Sequence, residues 1–141
     1  MSATQPHPIP AVSGVIIKAG RVLLVRRCHP PNAGKLALPG GKIQWGETLL
    51  AAVRRELIEE TQLQVEPVQL LDAVATYEYN AGKLTREYII ISYLCHVIGG
   101  VAAAQDDACE LIWLSEAELM ACTNTCPSVV AVAKKGFAAH L

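Results

Sequence analysis

Three carboxylates, Glu56, Glu59 and Glu60, fall close together in residues 41–63 (GKIQWGETLLAAVRRELIEETQL). On a helix turning about 100° per residue, Glu59 sits at about −60° and Glu60 at about +40° from Glu56, so all three share one face. Like charges at these spacings cost a few tenths of a kcal/mol per pair, and a helix gains no stability from them. A divalent cation is the natural compensation. Hard oxygen donors suit Mg²⁺ or Mn²⁺, which are usually held by a few carboxylates together with substrate phosphates. Acidic helix faces are more often merely solvated, so the triplet alone is a weak signal.

The spacing around the triplet is more specific. Gly41 is followed by five residues, Glu47, seven residues, and then Arg55-Glu56-Leu57-Ile58-Glu59-Glu60-Thr61-Gln62-Leu63. This resembles the Nudix box, G-x5-E-x7-R-E-U-x-E-E-x-G-U with U aliphatic, at every defined position but one. Gln62 stands where the family has glycine. The resemblance implies an α/β fold, an α/β/α sandwich around a mixed, partly antiparallel sheet. It also implies a pyrophosphohydrolase that cleaves the diphosphate linkage of a nucleoside diphosphate joined to another group, by water attack at phosphorus with Mg²⁺ or Mn²⁺. Position by position, it implies Glu56, Glu59 and Glu60 as metal ligands, with one of them, Glu59 foremost, or an acid outside the box taking the proton of the water. Arg55 and Glu47 would pair to orient the helix, and Gly40 and Gly41 would line the diphosphate region.

Relatives often supply a further carboxylate from a distal loop, for which Asp106, Asp107 and Glu110 are available; Glu110, ahead of the LIWL run, is favoured. Tyr79 falls roughly where members acting on dinucleoside polyphosphates carry a tyrosine. ADP-ribose and nucleoside triphosphates lead as small-molecule substrates, with dinucleoside polyphosphates as an alternative class. The competing function is a non-catalytic nucleotide-binding or regulatory module of the same fold. Every acid of the box is present, which counts against it.

The rest of the chain must position these groups. Residues 11–17 and 22–25 read as an antiparallel pair joined by a turn at Gly20. Arg26 and Arg27 follow, one of them expected to face the site and grip phosphate through bidentate hydrogen bonds. Residues 36–38 form a short strand into Pro39-Gly40-Gly41, where glycine allows close approach of backbone to a ligand. Thr48 is a good N-cap, and Leu49, Leu50, Val53 and Leu57 form the apolar stripe beside the acidic face. Ile58 lies opposite, placed to meet another element or, in a homodimer, a second subunit. A non-glycine at position 62 costs about 1 kcal/mol in a left-handed cap, so a slightly altered helix end is expected.

Further on, residues 68–76 and 87–97 read as strands around a polar connection, 77–83, with a turn at Asn80-Ala81-Gly82. A turn at Gly99-Gly100 should lead into another strand, followed by a strand at 109–114. Ser115-Glu116-Ala117-Glu118 is a capping box, and Pro127 opens a last helix, with Lys134 and Lys135 near its end.

A chain of 141 residues, 52% hydrophobic, suits one domain, here residues 9–141 behind a mobile tail at 1–8. The formal charge of −1 offers no basic field for nucleic acid. The first residues lack the charged and apolar regions of a signal peptide. Residues 88–104 carry no formal charge but are broken by Gly99 and Gly100, so a strand, a turn and a second strand are expected there, with no membrane partner. Five cysteines form no CxxC pair, and Cys122 with Cys126 supply too few ligands for zinc. Reduced, mostly buried thiols in a cytoplasmic protein are the expectation.

Overall fold

The computed structural model describes residues 6–30, 33–105 and 108–140. Residues 1–5 of the expected tail lie outside the described residues, as do Asp106 and Asp107.

Strand β1 (Ile9–Lys18) is the hub of a seven-stranded sheet. Its middle, residues 11–17, is buried on both faces, which suits its nearly unbroken run of small and aliphatic side chains. One edge of β1 runs parallel to β6 (Lys83–Gly99), from Ile9 opposite Tyr88 to Ile16 opposite Cys95. Its other edge changes partner along its length. Ala11, Val12 and Ser13 pair antiparallel with β4 (Gly40–Lys42), and Ile17 and Lys18 pair with β2 (Arg21–Arg27). Between the two, the Gly14 N–H donates to the Pro39 carbonyl at 2.9 Å. Strand β3 (Leu36–Ala37) and β7 (Ala108–Ser115) pair with β2, while β5 (Gln64–Asn80) pairs with β6.

Helices cover both faces. Helix α1 (Leu49–Thr61) lays Ala52, Val53 and Leu57 against Val12, Ile16 and Leu23. Helices α2 (Glu116–Ala121) and α3 (Pro127–Ala139) bring Leu119, Val132 and Ala133 to the other side, against Val15, Ile17 and Leu24. This is the expected three-layer α/β arrangement. Ser115 and Glu118 form the expected capping box.

Several expectations change. Leu49 and Leu50 remain more than a third exposed, so the buried stripe of α1 is shifted onto Ala52, Val53 and Leu57. Gln62 itself adopts the left-handed cap, φ 62°, and its N–H reaches the Ile58 carbonyl at 2.9 Å. The helix therefore ends as it would with glycine. Thr61 helps close that end, its hydroxyl donating to the Leu57 carbonyl at 2.5 Å. The segment after Gly100 forms no second strand. Instead Ala103 and Gln105 donate backbone N–H groups to the Thr61 and Glu60 carbonyls at 2.9 and 3.0 Å, satisfying acceptors that a helix end leaves open.

The β5–β6 hairpin is longer than its sequence signals. Residues 77–80, expected in a connection, belong to β5, and only Ala81 and Gly82 turn, with φ 52° and 78°. Cross-strand support explains the extension: Arg86 reaches Glu78 at 3.9 Å, and the Thr85 hydroxyl donates to the Glu78 carbonyl at 3.0 Å. Lys135 lies before the last turn of α3 and pairs with Asp72 of β5 at 2.7 Å instead of serving the helix end. No described helix is long and apolar enough to cross a membrane. The expectation of reduced thiols fails at Cys28 and Cys109, which the β2–β7 register brings together as a disulfide with Cα atoms 5.1 Å apart. Cys95, Cys122 and Cys126 are free, and burial pushes the Cys95 thiol up to about 12.

Candidate active site

The site is built where β1 exchanges β4 for β2. Gly40 presses so closely on the Val12 carbonyl and on Ser13 that a Cβ would collide with them. At Gly41 a Cβ would lie 2.5 Å from the carboxyl carbon of Glu56. Neither glycine has a positive φ, so close approach is what both positions require.

Arg55 organises the acidic face. Its Nε and Nη2 donate to the two carboxylate oxygens of Glu47 at 2.6 and 2.9 Å, the bidentate geometry a guanidinium favours. Its Nη1 donates to Glu56 at 2.8 Å and to Glu59 at 3.2 Å, and Nη2 also reaches the Lys42 carbonyl at 3.0 Å. Glu47 further accepts the Gln44 N–H at 3.0 Å. The Arg55 hydrogen bonds, aided by that N–H, hold the Glu47 carboxyl down at about 2. Glu47 in turn keeps Arg55 firmly protonated. Glu56 behaves oppositely: burial pushes its pKa up, and Arg55 only partly offsets this. Glu60 accepts the Gly40 N–H at 3.4 Å.

Glu56, Glu59 and Glu60 line a cavity of about 580 Å³ together with Gly40, Gly41 and Lys42. Arg27 and Lys35 line the same cavity, and Arg27 Nε is buried without a hydrogen-bond partner among the described residues. Aliphatic walls come from β5, β6 and α3 through Val74, Ile90, Val129 and Val132, with Ser13 and Ser92 at the sheet surface.

The expected residues are not all brought together. Of the two arginines, Arg27 faces the cavity, whereas Arg26 is held away from it by Glu110 at 2.8 Å and the Gly34 carbonyl at 3.0 Å. Glu110 is thereby engaged outside the cavity lining. Tyr79 stands on the hairpin, two thirds exposed and also outside the lining, while Tyr77 and Tyr88 contribute to it. Ser13, Ser92, Val74 and Val129 escaped sequence reasoning because only strand register and helix docking unite them.

The donor set suits a hard divalent cation: three carboxylates on successive turns face one cavity, and Gly41 leaves Glu56 room. Among the described residues the acids are not drawn onto one point as a ready cluster. Arg55 supplies the opposite charge to Glu56 and Glu59, and Glu60 turns to the Gly40 amide.

A family model described as NUDIX domain matches residues 7–132. An ADP-ribose pyrophosphatase of Methanocaldococcus jannaschii is 40% identical over 105 residues, 74% of this chain and 60% of that protein. The chain thus spans less than two thirds of that relative. A putative 8-oxo-dGTP diphosphatase 2 of Mycobacterium tuberculosis is 38% identical over 109 residues, 77% of this chain and 74% of that protein. Among solved structures, a MutT NUDIX hydrolase from Burkholderia pseudomallei superposes with a TM-score of 0.80 at 27% identity, covering 92% of this chain and 98% of that one.

Proposed function

The chain belongs to the NUDIX domain family, and on that premise we propose that it hydrolyses the diphosphate linkage of a purine nucleotide, ADP-ribose-like or a nucleoside triphosphate, with Mg²⁺ or Mn²⁺. One observation carries this reading: three carboxylates and the half-buried Arg27, whose Nε is buried without a hydrogen-bond partner among the described residues, line one cavity. The acids call for a cation and the guanidinium for an anion. A diphosphate with its metal satisfies both, whereas either ligand alone would leave one side uncompensated. The purine follows from the relatives, whose names specify ADP-ribose and 8-oxo-dGTP.

In this mechanism Arg27 and Lys35 hold phosphate oxygens, Arg27 with the donor geometry suited to two of them. Gly41 lets the chain pass close beneath the diphosphate, while Gly40 packs directly on Ser13. Glu56, Glu59 and Glu60 would hold the metal, which when bound neutralises charge developing on the phosphate and acidifies a coordinated water. Arg55, fixed by Glu47, keeps the carboxylate face in register and prevents its acids from splaying apart. Glu59, 43% exposed and restrained only by the 3.2 Å contact to Arg55 among the bonds described, takes the proton of the attacking water.

The test is turnover of ADP-ribose, dGTP and 8-oxo-dGTP with and without Mg²⁺. Release of a nucleoside monophosphate should require the metal and fall by about 10³-fold or more in the Glu59→Gln/Glu60→Gln variant. Full activity in that variant overturns the proposal. Tight binding without turnover would instead make the chain a nucleotide-binding module.

A further inference from the structure

The sheet surface within the cavity carries a polar feature that the hydrolytic step does not use. Ser13 of β1 and Ser92 of β6 are register partners, both more than nine-tenths buried, with hydroxyl oxygens 2.6 Å apart. Their strand neighbours on the same face, Val15, Leu94 and Ile90, are aliphatic. An aliphatic pair would fill this place without desolvating two hydroxyls.

The hydrogen count is decisive. Each serine hydroxyl has one hydrogen to donate. The bond between them uses one, whichever way it points, and no other bond of either hydroxyl is made among the described residues. One O–H hydrogen is left over at the cavity surface. Because the donor and acceptor can exchange roles, the pair always offers a single donor there and never a second.

Resting on the nucleotide reading above, we propose that the Ser13–Ser92 pair is a specificity-determining contact which donates this hydrogen to an acceptor atom on the edge of the substrate's purine base. The base is placed here, and the phosphates elsewhere, by the surroundings. Val74, Ile90, Val129 and Val132 form walls suited to a flat heterocycle, whereas Arg27 and Lys35 are the cavity's stronger phosphate ligands. A base that lacks the acceptor leaves the hydroxyl hydrogen buried and unpaired, which is what makes the contact discriminate.

The experiment compares the wild-type chain with the Ser13→Ala/Ser92→Ala variant on two pairs of probes. Inosine triphosphate is set against purine riboside triphosphate, which lacks the 6-oxygen. GTP is set against 7-deaza-GTP, which lacks the N7 acceptor. Values of kcat/KM are taken with Mg²⁺, and Kd is measured calorimetrically with Ca²⁺. The wild type should disfavour one analogue by about 10- to 100-fold, expressed in KM and Kd more than in kcat. The double variant should bring that ratio below about threefold while its Tm stays within a few degrees, since both partners are replaced together and no hydroxyl is orphaned.

An unchanged ratio in the double variant overturns the proposal. So does a wild type that treats both analogues like their parents, or that binds none of the four, and these results require no variant to fold. Turnover without discrimination removes the contact and leaves the hydrolase. Discriminating binding without turnover removes the hydrolase and leaves the contact.

Discussion

The acidic wall of the cavity and its aliphatic wall are built on opposite principles. The acidic wall comes from one run of chain, residues 40–60, and is held by charge: Arg55 alone contacts Glu47, Glu56 and Glu59. The aliphatic wall is collected from β5, β6 and α3 and is held by register and packing, with Val74 opposite Ile90 and Val132 brought in on the buried face of α3. On the proposed function, chemistry is local in sequence and recognition is tertiary. Substrate preference can therefore change through distant substitutions while the acidic helix stays as it is.

The sharpest way to break this division is Glu59→Gln. It should lower kcat by about 10³-fold while the Kd of a purine nucleotide measured with Ca²⁺ changes by less than about threefold. A comparable loss of base discrimination in this variant would show that the walls are not independent.

Arg55→Ala probes the same wall for stability. It leaves Glu56, whose side chain is only 13% exposed, without its cationic partner, and should cost about 2 kcal/mol in denaturant unfolding, discounted for partial exposure. Mg²⁺ should raise the Tm of this variant more than that of the wild type, because a cation replaces the missing charge. Equal shifts would mean that Arg55 and the metal do not share the same carboxylates.

The difference between the walls also explains what was legible in the sequence. The acidic helix, its Thr48 cap and the Ser115–Glu118 box are short-range patterns, and each appears where its spacing indicates. Arg26 and Arg27 could not be told apart, since only a register irregularity between them sends one to Glu110 and the other to the cavity. Glu110 looked available because its partner lies 84 residues away. The Cys28–Cys109 pairing was hidden for the same reason, by a sequence separation of 81. Tyr77, Glu78 and Tyr79 read as a polar connection because their strand character depends on cross-strand neighbours, not on their own propensity.

Gln62 tests how far the acidic wall tolerates a local misfit. A side chain in the left-handed cap costs about 1 kcal/mol, and Gln62→Gly recovers this while giving back part of it as added freedom of the unfolded chain. The net gain should be about 0.5 kcal/mol, or about 2 °C in Tm. Because the cap already closes on Ile58 with glycine-like geometry, kcat should stay within about twofold. A larger change in kcat would show that the misfit is transmitted to Glu59 and Glu60.

The smallest effect concerns the aliphatic wall, where Asp72 of β5 and Lys135 of α3 form an exposed tie across it. The Lys135 hydrogen bond, helped by the Ala73 N–H, lowers the Asp72 pKa below its ordinary value of 3.8. A carboxyl depressed in the folded state stabilises it above the ordinary pKa and loses that contribution as pH falls below it, because the unfolded chain takes up the proton first. Tm should therefore decline slightly more steeply below about pH 4 in the wild type than in Asp72→Asn. Within the acidic wall the Glu47–Arg55 pair should hold on further into acid, since Glu47 stays ionised to about 2, whereas burial makes Glu56 take up its proton earlier. Loss of base discrimination before loss of the Arg55 network, on titration from pH 5 downward, would place the weaker tie on the recognition side; identical slopes for wild type and Asp72→Asn would show that α3 is held to β5 by packing alone.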